Sequence, residues 1–73
     1  MKSIVLRNGI AISVNDRVEV PDPNRGDSWG YSFVGRVSAF EQEKEELFVI
    51  VKDSSGQPIK INPYRLKNLS IPV

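Results

Sequence analysis

Residues Asn15–Phe40 read N-D-R-V-E-V-P-D-P-N-R-G-D-S-W-G-Y-S-F-V-G-R-V-S-A-F. Val18 and Val20 alternate with Arg17 and Glu19, the pattern of a strand with one face buried. Pro21 and Pro23 end it, because proline has no N–H to give to a ladder. A second strand follows over Tyr31–Phe40, with Tyr31, Phe33, Gly35, Val37 and Ala39 on one face. Gly35 in its middle predicts a bulge or bend, where a sheet curls over. Between the strands lies a loop rich in Pro, Gly and Asp that holds Trp29, the single Trp of the chain. Compact domains seldom keep so long a connection without a use, and such loops often bear function.

Outward from this stretch, turn signals recur at the short spacing of a small all-β domain. Asn8-Gly9 separates Ile4–Leu6 from Ile10–Val14. Asn-Gly favours a two-residue type I′ turn, since both positions need positive φ. That turn pairs Arg7 with Ile10 and Val5 with Ile12. It puts Val5, Ile10, Ile12 and Val14 on one face of a hairpin, and Ile4 and Leu6 on the other. Both faces being partly apolar, something should cover each. Asn15-Asp16 is the next turn, where Asn tolerates the left-handed conformation.

Beyond Phe40, Glu41–Glu46 reads as a charged, solvated hairpin loop, and Leu47–Val51, apolar on both faces, as the most buried strand. Asp53-Ser54-Ser55-Gly56 is a turn, and Ile59 and Ile61 alternate with Lys60 in another strand. Asn62-Pro63-Tyr64-Arg65 reads as one short 3-10 turn and Leu69–Val73 as a closing strand. Pro72 assigns that strand to an edge.

A chain of 73 residues allows one domain and little more. It has neither Cys nor His. Disulfides, thiol nucleophiles, zinc sites and histidine acid–base chemistry are therefore excluded. What remains for catalysis is carboxylates, Ser, Lys or Tyr in a deep pocket; Asp22 and Asp27 on the loop lack an evident partner, and an enzyme is not expected. No cofactor is implied. No apolar run approaches the ~18–20 residues that span a bilayer, and Ile4–Leu6, interrupted by Arg7-Asn8-Gly9, is too short for a signal-peptide core. The expectation is a cytoplasmic protein without a membrane role. The net charge of +1 is unevenly spread: Glu41–Glu46 holds four acids and one base, whereas Leu47–Val73 holds four bases and one acid.

From Asn15 onward the order is strand, long loop, long strand, short loop, strand, tight hairpin, strand, helical turn, strand. With N-D-R-V-E-V, S-F-V-G-R-V, F-V-I-V-K-D-S-S-G and I-K-I-N-P-Y-R-L, it resembles the SH3-like barrel superfamily, including its Tudor-type and KOW-type domains. N-D-R-V-E-V looks like the G-D-x-V-x-V opening of such barrels, with Asn15 in place of glycine. The resemblance implies one all-β domain over residues 1–73, a five-stranded SH3-like barrel (15–73) with an extra N-terminal hairpin (1–14). It also implies a binding module. The A-L-Y-D-Y motif and paired tryptophans of signalling SH3 domains are missing, although Tyr64 stands near the place of a groove tyrosine. Similarity to Tudor domains implies a cage for methylated lysine or arginine, for which Trp29, Tyr31 and Tyr64 are the available walls. KOW-type domains bind RNA or protein and usually carry a stronger basic bias.

Three functional readings follow. The first is protein or peptide recognition through the loop, with Trp29, Tyr31, Tyr64, Arg25 and Asp27 as site residues; the alternative for Trp29 and Tyr31 is that they plug the open end of a barrel with too small a core. Phe33 belongs to that core. The second is nucleic-acid contact through Lys52, Lys60, Arg65 and Lys67, against which stands ordinary solubilising charge. The third is a homodimer through the Ile4–Val14 hairpin. Arg25-Gly26-Asp27 spells the tripeptide read by integrins, but a glycine turn between opposite charges explains it equally well. The Glu41–Glu46 run is a solvated face rather than a metal site.

Overall fold

The computed structural model describes residues 3–70. Seven strands and one 3-10 turn follow one another: β1 (Ser3–Val5), β2 (Ala11–Ser13), β3 (Arg17–Val20), β4 (Phe33–Glu43), β5 (Glu46–Lys52), β6 (Pro58–Ile61), the 3-10 turn Pro63–Arg65, and β7 (Lys67–Asn68). The chain is all-β, arranged as two antiparallel sheets: the hairpin β1–β2, and a five-stranded sheet of order β6-β5-β4-β3-β7. Among the described residues the strands do not close into a barrel. β6 and β7, the two edges of the large sheet, do not pair with each other, and β7 is only two residues long. The last strand is Lys67–Asn68 and ends before the closing strand expected over Leu69–Val73 begins; of that stretch Leu69 and Ser70 are not in a strand, and 71–73, with Pro72, lie outside the described residues.

In place of closure, the hairpin contributes to the core. Leu6 and Ile12 join Val18, Val20, Val37, Val49, Val51, Ile59 and Ile61 of the large sheet in one buried cluster, completed by Trp29 from the long loop. No polar or charged residue is buried among the described residues. Asp16 and Asn68 tie the two sheets together. The Asp16 carboxylate accepts from the Ser13 N–H and from Asn68 Nδ2, each at 2.9 Å, and Asn68 Nδ2 also donates to the Ala11 carbonyl at 2.9 Å. Asn15 takes the left-handed conformation that its turn requires (φ 76°).

The hairpin register differs from the two-residue turn that Asn8-Gly9 suggests. Ile4 faces Ile12, Val5 faces Ala11, and the Leu6 amide donates to the Ile10 carbonyl. Gly9 donates back to the Leu6 carbonyl at 2.9 Å and sits at φ 86°. This is the three-residue loop in which a type I turn is followed by a left-handed glycine. One extra loop residue slips the pairing by one place and exchanges the faces. Leu6, Ile12 and partly Ile4 now point inward. Val5 faces out with 73% of its surface exposed. One face of the hairpin, not two, is left for another chain.

A second shift occurs in β4. The pairing with β5 slips between Val37 and Ala39, so that Val37 faces Val51 while Ala39 faces Ile50. The bulge reverses the inward side: Ala39 is exposed, and Phe40 packs against the core. Gly35 serves a different purpose. A Cβ built there would lie 2.5 Å from the Lys52 carbonyl oxygen and 2.8 Å from Val51 Cγ1. Gly35 thus admits the close approach of the Lys52 backbone, and the bulge itself comes from the residue inserted three places on.

Glu41–Glu46 is not a loop. Glu41 and Glu43 belong to β4 and Glu46 to β5, leaving Lys44-Glu45 as the turn. β5 is buried on one face through Val49 and Val51, while Leu47, Phe48 and Ile50 are half-buried. The 3-10 turn forms as read, capped by Asn62 Oδ1 accepting from the Tyr64 N–H at 2.9 Å, with Pro63 buried.

Candidate functional site

The loop from β3 to β4 is held by its own polar groups. Asp27 accepts from the Asn24 amide at 2.6 Å, closing a turn through Gly26 at φ 92°. At its base Asp22 Oδ1 accepts from the Ser32 N–H at 3.1 Å. Trp29 Nε1 donates to the Pro21 carbonyl at 2.9 Å, which satisfies the one polar atom of an indole that is only 9% exposed. Arg65, from the 3-10 turn, crosses to the loop. Its guanidinium pairs with Asp27 at 3.0 Å, reaches the Pro21–Asp22 end at the Asp22 carbonyl (3.3 Å), and lies over the Trp29 ring, 5.2 Å from the centroid. A cation over an indole is attractive by ~0.5–2 kcal/mol.

These contacts divide the residues that the sequence suggested as one ligand site. Trp29 plugs the core. Arg25 is exposed at the tip of the turn. The Asp27 carboxylate is spent on Asn24 and Arg65 rather than projecting outward. Tyr31 is 76% exposed. It lines a groove of about 250 Å³ between the loop and the β5–β6 turn, together with Trp29, Phe33, Ile59, Asp53 and Gln57. Tyr64 lies elsewhere. It is 52% exposed and its hydroxyl accepts from the Arg7 N–H at 3.0 Å, clasping the tip of the β1–β2 hairpin. It lines a separate groove of about 420 Å³ with Leu6, Leu47 and Pro63. The three aromatics therefore do not form one cage.

The four C-terminal bases are not gathered either. Lys60 pairs with Glu43 at 2.7 Å and with Glu41 at 3.9 Å, and stands 5.0 Å from the centre of the Phe48 ring. Arg65 is committed to the loop. Lys52 and Lys67 alone make no ion pair among the described residues. Instead, the sheet register assembles a row that the sequence reading passed over: Arg17 faces Arg36, and Arg36 faces Lys52, all three exposed. Each is a polar position in its strand pattern, so the outward orientation was readable. Which positions stand side by side depends on the register, and no local pattern contains it.

Hydrogen bonds also set the charge of two loop carboxylates. Asp27 is held below its ordinary value of 3.8, chiefly by the Asn24 amide and further by Arg65, against some desolvation. Asp53 is lowered mainly by the Ser55 hydroxyl and then by the Gln57 amide, which close the β5–β6 turn. Lys60 is raised above 10.5, first by its hydrogen bond to Glu43. A carboxyl with a lowered folded value contributes stability above its unfolded value, and that contribution is lost as pH falls through the folded one. A raised lysine contributes below its unfolded value and ceases to do so as pH climbs past the folded one. The urea midpoint should therefore fall below about pH 4 and again above about pH 10.5, with a plateau between. The Asp27→Asn/Asp53→Asn double variant should show a shallower acid limb. An unchanged limb would assign the acid sensitivity to other groups.

Among the described residues no group of three or more acidic, Cys or His side chains is placed to hold a metal ion. No helix among the described residues is long and apolar enough to cross a membrane. Comparison with family models, with curated proteins and with solved structures gave no match. What the described surface offers is a groove lined by an exposed tyrosine and a row of bases that form no ion pair among the described residues.

Proposed function

We propose that the protein is a non-enzymatic binding module of SH3-like form that recognises a peptide through the groove beside Tyr31. The strand order β6-β5-β4-β3-β7 supports the SH3-like reading. So does the succession of a long loop, a bulged second strand, a tight turn and a 3-10 turn before the last strand. It is an open form, with the β1–β2 hairpin covering the side that closure would otherwise cover.

The observation that carries the binding reading is the position of Tyr31. A large aromatic with three quarters of its surface in water lines a groove whose walls include the buried Trp29 and Ile59. Tyrosine is among the residues that dominate binding energies when a partner covers them. The loop beside it is pinned by Asp27, Arg65 and Trp29, so docking orders little chain and loses little entropy. The nucleic-acid reading through Lys52, Lys60, Arg65 and Lys67 has less support, since Lys60 and Arg65 are already paired with carboxylates.

The test is to pan a random-peptide library on the chain and measure the recovered peptides by calorimetry. Tyr31→Ala should weaken them by about 2 kcal/mol, the scale of a hot-spot residue, with an unfolding midpoint close to the parent's. Tyr64→Ala should leave the affinity within about twofold, because Tyr64 lines the other groove. Peptides that bind Tyr31→Ala as tightly as the parent would overturn the reading.

A further inference from the structure

We infer that the peptide taken by the Tyr31 groove is acidic, with an apolar side chain at the groove and carboxylates on the row Arg17, Arg36 and Lys52. The inference rests on the groove reading and names the chemistry of its ligand. The row crosses three neighbouring strands in direct register. Like charges opposed on a sheet repel and destabilise it, so the arrangement has a cost in the free protein. None of the three bases forms an ion pair among the described residues. Arg36 donates once, from one guanidinium nitrogen to the Asn15 carbonyl at 3.1 Å, and keeps its other N–H groups for a ligand.

The neighbouring acids are engaged elsewhere. Asp16 binds Ser13 and Asn68, Asp53 closes its own turn, and Glu41 and Glu43 hold Lys60. Glu19, also on β3, stands opposite Val34 on one side and Lys67 on the other.

The row and the groove are continuous. The hollow along Arg17, Arg36 and Lys52 and the Tyr31 groove share Val34, Asp53 and Ser54 in their walls. Strands stand about 4.8 Å apart, so the three cations span roughly 10 Å. An extended peptide sets alternate side chains about 7 Å apart. Two carboxylates at alternate positions therefore fit the row while a flanking apolar residue reaches Tyr31. A nucleic-acid backbone fits less well. The row offers three cations and then stops: the next strand beyond Lys52 places Pro58 beside it, and beyond Arg17 lies Leu69, whose amide donates to the Arg17 carbonyl.

Library-derived peptides serve as probes, together with a single-stranded oligothymidylate. The peptides recovered on the full chain should carry Asp or Glu close to an apolar residue and should weaken as salt is raised. Arg36→Glu/Lys52→Glu should lower their affinity about tenfold or more, and Arg36→Gln/Lys52→Gln by less, with both variants shown to be folded by circular dichroism. Neutral peptides that need Tyr31 but ignore both double variants would overturn the acidic ligand and leave the groove standing. Acidic peptides that need the row but ignore Tyr31→Ala would overturn the groove, and this inference with it. Oligothymidylate that binds more tightly and displaces the peptides would overturn it in favour of nucleic acid. Recovery of no peptide would overturn both.

Discussion

Gly35→Ala should be the most damaging of the glycine-to-alanine substitutions in this protein. The new carbon would lie 2.5 Å from a main-chain oxygen, that of Lys52, and 2.8 Å and 3.2 Å from the side chains of Val51 and Phe33. The carbonyl cannot swing aside as a side-chain tip can. Lys52 pairs with Arg36 on one side and Pro58 on the other, so moving it strains the end of both ladders at once. Overpacking of this kind costs about 3 kcal/mol or slightly more. In a domain of this size that is a fall of roughly 12–24 °C in melting temperature. Gly30→Ala is the control: nothing lies within 4 Å of its added carbon, and its melting temperature should match the parent's. If the two variants melt alike, β4 and β5 do not approach as closely as described.

Trp29→Ala should cost about 3–5 kcal/mol, the usual result of emptying a large aromatic from a core. The indole closes the cluster from the loop side, and three other groups depend on it. Its N–H satisfies the Pro21 carbonyl, its ring carries the Arg65 guanidinium, and Arg65 in turn holds Asp27. Trp29→Phe keeps most of the apolar area and loses the donated hydrogen bond, for which about 1 kcal/mol is expected. Chemical denaturation followed by circular dichroism measures both. Equal midpoints for the alanine variant and the parent would contradict the burial of Trp29. The result bears on function as well: loss of binding in Trp29→Ala would report a disrupted fold, and Tyr31 is the proper residue for mapping the groove.

Much of this was legible in the residues themselves. Alternation in Arg17–Val20 and Pro58–Ile61 gave strands with the correct inward sides, and proline ended β3 where it should. Asn62-Pro63 announced a capped 3-10 turn. Gly35 marked the strand that bulges, but its own pairing with Val18 is regular and the bulge falls between Val37 and Ala39. The hairpin was half legible. Asn8-Gly9 marked its turn, but loops of two and three residues both accept that pair, and the choice between them exchanges the buried face. The site was less legible still. Trp29 and Tyr31 stand two residues apart and look equivalent in the sequence, yet one is a plug and the other is exposed. Lys60 and Arg65 looked like free cations because their partners, Glu43 and Asp27, are distant in the chain.

Period, turn chemistry and composition are local properties, and by themselves they determined the all-β character, the strands at Arg17–Val20 and Pro58–Ile61, and the lack of cysteine and histidine chemistry. Register and closure are not local. The slip in the hairpin, the bulge between Val37 and Ala39, the open edges and the row Arg17–Arg36–Lys52 were decided only when strands met. The reason is that side chains on a strand alternate every two residues, so a displacement of a single residue, too small to alter any local pattern, exchanges the buried and exposed faces.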